Sequence, residues 1–187
     1  MTLAIRSDRL ELISLTPAFL SASLAGARAI AEQFIGVAIA PDWFADQWIM
    51  RLRLDDLKRN PDYQPWSMRA VVLREQQLMI GHIGFHTLPD PDYLAMTAPG
   101  GVEFGYTIYP PFRRNGYALE ASRAMIQWAH KTHQVTRFVL SISPDNVPSL
   151  RIADRLGFEL IGSQIDDEDG PENIYRLQLT NPASMND

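Results

Sequence analysis

The chain of 187 residues predicts an α/β fold in which a parallel strand–helix–strand unit lies between hairpins. Three observations predict it. Val102 to Tyr109 alternates apolar and mixed positions like a strand, and Pro110 and Pro111 stop it. Ala118 to Lys131 lacks Pro and Gly and carries Ala118, Ala121, Met125 and Trp128/Ala129 at helical spacing. Thr136 to Ser143 is rich in β-branched and apolar residues, a second strand. That order implies a right-handed parallel crossover.

The other elements follow in chain order. Pro17 to Ala31 and Asp42 to Arg59 read as helical segments, the second carrying Trp43, Phe44, Trp48, Leu52 and Leu57, most of them core residues. Trp66 to Leu73, Arg74 to Gln77, then Leu78 to Leu88 reads as a hairpin; His82 and His86 share one face of it. Leu88 to Gly101, with three prolines and two glycines, is a loop and a flexible rim. Past Ser143, Pro148 suits the first turn of a short helix and Gly157 the position just beyond its end. A hairpin closes the chain, Phe158 to Ile165 and Asn173 to Leu179, joined by the acidic run Asp166 to Gly170, a solvated turn.

The stretch Arg113-Arg114-Asn115-Gly116-Tyr117-Ala118 leaves a strand and opens a helix. Such a turn leaves several backbone N–H groups without partners, and with the helix dipole they form an anion site. It is not a P-loop, because no Gly-Lys-Ser/Thr follows. It is not a dinucleotide fingerprint, which needs three glycines. Arg113-x-x-Gly116-x-Ala118 instead resembles the Q/R-x-x-G-x-G/A signature of the GNAT acyltransferases. Asn146-x-x-Ser149, followed by a helix ending in Leu156-Gly157-Phe158, is similar to the second half of the same core. Ser7-Asp8-Arg9-Leu10-Glu11-Leu12, Leu78 to Phe85 and Glu103-Phe104-Gly105-Tyr106 resemble segments of the RimJ/RimL-like branch, in the right order and over nearly the whole chain.

The resemblance implies a GNAT fold, with a mixed, largely antiparallel sheet flanked by helices and a splayed parallel strand pair. Residues 1–187 would form one such domain. It implies acetyl-CoA as cofactor, with its pyrophosphate on backbone amides of Arg114, Asn115, Gly116, Tyr117 and Ala118. Arg113 and Arg114 supply charge, Asn146 and Ser149 border the pantetheine arm and thiol, and amides near Tyr106 to Ile108 hold the thioester oxygen. Glu103 is the candidate general base. Its pKa is expected to be raised toward neutrality by a closed cleft. Many relatives place a Tyr where this chain has Ala153; that acid is missing, and Ser149 is the nearest polar alternative, equally an early-helix hydroxyl.

Direct transfer to an amine needs the amine neutral. At pH 7 this costs about 4.6 kcal/mol for a Lys side chain and roughly 1 kcal/mol for an α-amine. The expected activity is therefore N-acetylation of a primary amine, foremost a protein or peptide N-terminal α-amine. A small-molecule amine acetyltransferase and a non-catalytic acyl-CoA-binding sensor are the alternatives. A net charge of −5 and a pI near 5.3 argue against general nucleic-acid binding. With no cysteine, disulfides, thiolate metal sites and a cysteinyl acyl-enzyme are excluded, and no metal is expected. No apolar run approaches membrane length. The expectation is a cytoplasmic protein, monomer or homodimer, without membrane association.

Overall fold

A computed structural model of the chain describes residues 4–166 and 170–180. Asp167, Glu168 and Asp169, the centre of the acidic run, lie outside the described residues. Two compact units emerge, one of Met1–Phe85 with Tyr106–Ala124, the other of His86–Gly105 with Met125–Asp187.

The first unit begins β1 (Ile5–Arg6), β2 (Leu10–Ser14), α1 (Pro17–Leu24), α2 (Arg28–Ile35) and β3 (Ala38–Ile39). It continues through α3 (Gln47–Arg59), β4 (Arg69–Leu73) and β5 (Leu78–Phe85). β2, β4 and β5 pair antiparallel, in the register Leu10↔Leu73 and Arg69↔Ile83, while β3 runs parallel to β5. The alternation of β2 buries Leu10 and Leu12 completely, with Phe19 and Leu20 of α1, Trp43 and Met50. Each large side chain of this kind contributes about 1.5–3 kcal/mol on burial. Thr16 caps α1 by accepting from Phe19 N at 3.2 Å, and Pro17 occupies its first turn. The segment Pro17 to Ala31 is two helices, not one, because Gly26 stands at φ +69° between them. Asp42 belongs to a 3₁₀ turn, Pro41–Ala45, ahead of α3.

Next come β6 (Val102–Ile108) and α4 (Tyr117–His133), which contribute residues to both units. The second unit adds β7 (Arg137–Ile142), α5 (Val147–Leu156), β8 (Glu159–Asp166) and β9 (Gly170–Gln178). β6 and β7 are parallel, as expected, but their pairing covers only Val102↔Phe138 and Glu103↔Val139. β7, β9 and β8 continue antiparallel. The loop before β6, expected to be a flexible rim, is pinned. Leu94 and Ala98 are buried against Val139, and Arg176 donates to Thr97 O at 2.7 Å. α5 ends where expected, on Gly157 in the left-handed region, with its N–H on Ala153 and Asp154 carbonyls. Among the described residues, no helix is long and apolar enough to cross a membrane.

Candidate functional site

The turn between β6 and α4 is built from backbone conformations that few residues adopt freely. Arg113 is extended, Arg114 stands at φ +65° and Gly116 at φ +79°, and α4 starts at Tyr117. Turns of this kind gather successive N–H groups into an anion-binding concavity. Among the described residues no acceptor takes the N–H of Arg114, Asn115, Gly116, Tyr117 or Ala118; the first helical bond here is Glu120 N to Gly116 O. The side chain of Asn115 donates to the Phe112 and Arg113 carbonyls, both at 3.1 Å, and so shapes the turn from within. Arg113 Nε donates to Ile108 O at 2.8 Å, fixing that guanidinium at the end of β6. The exposed turn, its free donors and the missing side chain at Gly116 fit a pyrophosphate.

One residue that supports the turn was not foreseen. Arg9 donates through Nε to Glu120 Oε2 at 2.7 Å and through a terminal nitrogen to Asn115 O at 3.0 Å. Its guanidinium also lies 4.6 Å from the centre of the Tyr117 ring. Glu120 accepts further from Arg9 N at 2.8 Å and Ser7 Oγ at 2.7 Å. Burial works to raise the Glu120 pKa, but these hydrogen bonds and the Arg9 charge outweigh it and hold the carboxyl below its ordinary range. Ion-pair partners 111 positions apart leave no local signal in the sequence. Arg9→Ala is expected to weaken acetyl-CoA binding about tenfold while costing roughly 1 kcal/mol or less of stability, as for an exposed ion pair. Calorimetric affinity beside a melting curve checks this.

A cavity of about 640 Å³ is lined in part by the same Arg9 and Tyr117. Arg6, Arg9 and Arg74 face Asp8, Glu11 and Glu75 there, so the charges balance and the cavity is a poor anion site.

In the second unit Glu103 is buried at 8% exposure, and His86 Nδ1 lies 3.7 Å from its Oε2. Burial pushes the Glu103 pKa up, but the His86 hydrogen bond and charge, with hydrogen bonds from Ser141 and Tyr93, outweigh that and hold it low. The expected raised pKa is therefore not found. The carboxylate is charged at neutral pH and suits an anionic partner to the imidazole. Gly105 makes room for the ring, since a Cβ there would meet His86 Nε2 at 2.9 Å.

Asn146 is the N-cap of α5, its side-chain oxygen accepting from Ser149 N at 3.2 Å. Ser149 is half-buried, and its hydroxyl makes no hydrogen bond among the described residues. Tyr106 is half-buried and Ile108 buried on β6. In the first unit His82 is also buried, its Nε2 3.6 Å from Asp46 Oδ2 and its ring edge-on to Trp43 and Tyr109. No group of three or more metal-ligating side chains occurs among the described residues.

The family profile described as the acetyltransferase (GNAT) domain matches residues 9–159. The uncharacterized N-acetyltransferase YjdG of Bacillus subtilis (strain 168) is 32% identical over 56% of this chain and 58% of its own. YnaD of the same organism, also an uncharacterized N-acetyltransferase, is 29% identical over 49% of each chain. The chain thus spans about half the length of the curated relatives it matches. Among solved structures, RimL, a ribosomal L7/L12 α-N-protein acetyltransferase in complex with coenzyme A, is similar in fold. Its TM-score is 0.63 at 19% identity, covering 95% of this chain and 98% of that one. With the profile spanning most of its length, the chain belongs to the GNAT acetyltransferase family.

Proposed function

We propose that this chain is an acetyl-CoA-dependent N-acetyltransferase of the RimJ/RimL-like branch, acting on the N-terminal α-amine of a protein or peptide. The observation that carries the reading is the row of unpartnered amides from Arg114 to Ala118 at the start of α4. The similarity to RimL with coenzyme A supports the choice of cofactor and branch.

When bound, acetyl-CoA supplies an acetyl group activated as a thioester. The amides of Arg114, Asn115, Gly116, Tyr117 and Ala118 bind its pyrophosphate, with Arg113 and Arg114 as neighbouring cations. Asn146 and Ser149 serve the pantetheine and thiol end, Ser149 with an uncommitted hydroxyl. Backbone amides near Tyr106 to Ile108 are assigned to the acyl oxygen; such a donor is worth about 2.7–4 kcal/mol in related chemistry. Glu103 acts with His86. The imidazole takes the acceptor's proton, and the buried carboxylate orients and stabilises the imidazolium.

Release of free CoA across a panel of amines tests the proposal. Peptides beginning with Ala or Ser are expected to react fastest, ahead of a blocked peptide bearing only a Lys amine, whose deprotonation costs about 3–4 kcal/mol more. Tight acetyl-CoA binding with no CoA release from any amine would make the chain a sensor instead.

A further inference from the structure

Asp42, Asp46, His82 and Tyr109 form a second polar group in the first unit, two buried rings beside two half-buried carboxylates, the Asp46 side chain being 41% exposed. Tyr109 is 3% exposed and His82 7%, and neither Tyr109 Oη nor His82 Nε2 has a hydrogen-bond partner among the described residues. A buried polar atom left unpaired destabilises the fold. Here two sit side by side, the rings 6.4 Å apart, beside a carboxylate 3.6 Å from the imidazole. The Tyr109 hydroxyl is pushed above the ordinary tyrosine range by burial, then by Asp46 and Asp42, so both carboxylates act on it. Among the described residues no Lys or Arg pairs with Asp42 or Asp46, and Asp46 pairs only with the His82 imidazole. Trp43 is not the missing donor, because its Nε1 is engaged by Ser23 Oγ at 3.0 Å.

The set is rich in acceptors, and its one potential cation is the His82 imidazole beside Asp46. Asp46 and Tyr109 Oη accept, and so does His82 Nε2 when its proton sits on Nδ1. A primary ammonium brings three donors and no acceptor, which matches. The carboxylates stabilise the protonated form of a bound amine, the opposite of what an attacking amine needs. We propose that Asp46, His82 and Tyr109, with Asp42 nearby, hold a primary ammonium group of the acceptor that stays charged while a different amine of the same molecule is acetylated. The role as acceptor site rests on the acetyltransferase reading above. The ammonium site itself does not.

The test separates the two. Propylammonium chloride is titrated into the full chain while the His82 ring carbons are followed by NMR, with tetramethylammonium, which has no N–H, as the control. A saturable shift with propylammonium alone is expected, weakened at least tenfold by Asp46→Asn and by Tyr109→Phe. Tyr109→Phe removes a hydroxyl without a partner, so its melting temperature should not fall. An equal response to both cations, no response, or unchanged binding in both variants would overturn the site and leave these groups to bound water. With turnover, a diamine should show a KM at least tenfold below that of the monoamine of equal length, an advantage lost in Tyr109→Phe. If no amine is acetylated yet propylammonium binds as described, the acetyltransferase reading fails and the site stands. Equal KM values for the two amines would remove the acceptor role.

Discussion

Gly116→Glu is expected to weaken acetyl-CoA binding at least a hundredfold while the protein remains folded. Gly116 stands at φ +79°, and an added Cβ would meet only an Arg9 nitrogen, at 3.6 Å. The fold therefore bears only the left-handed strain of a non-glycine residue, of order 1–2 kcal/mol. Affinity suffers far more, since a carboxylate would enter the row of amides meant for an anion. Two like charges about 4 Å apart repel by about 4 kcal/mol at an effective dielectric of 20, and a hundredfold loss needs only about 2.7 kcal/mol. Gly116→Ala carries the strain without the charge and should fall between. Calorimetry with acetyl-CoA, beside circular dichroism, decides it; wild-type affinity in the Glu variant would dismiss the turn as the binding site.

Glu103→Gln should lower kcat about a hundredfold, within the range for a positioned acid–base group, and leave acetyl-CoA affinity unchanged. Gln keeps the shape and removes the charge that His86 faces at 3.7 Å. If the two act as one unit, His86→Gln should cost about as much and the double variant little more. Stability carries its own sign. The folded Glu103 pKa lies below the reference value of 4.5, so its anion stabilises the fold fully above that value. The contribution disappears as pH falls through the folded pKa. Wild type should thus lose more stability than Glu103→Gln between neutral and acid pH. A pH–rate curve identical to wild type would remove Glu103 from the mechanism.

The elements flanking the turn were legible because their signals are local. Alternation marked β6, two prolines ended it, and a helical period without Gly or Pro announced α4. Gly157 closed α5 for the same kind of reason. The pairing of His86 with Glu103 was not legible: both residues were noted, but their register depends on a loop between them that reads as mobile and is pinned by Leu94 and Ala98. The direction of the Glu103 pKa depends on Tyr93 and Ser141, distant in sequence. Arg69 is the plainest miss. A fully buried arginine in a strand runs against composition, and it is tolerated because its terminal nitrogens reach the Leu12 and Pro65 carbonyls.

Arg9 belongs to the opening residues of the chain, yet its guanidinium holds the carbonyl of Asn115. A fragment that keeps the whole signature, Arg113 to Ala118, but begins after β2 would display the recognisable letters without their brace. Motif scanning alone would rate such a fragment complete. Anyone trimming or permuting this protein should keep the turn between β1 and β2 together with the turn that it braces.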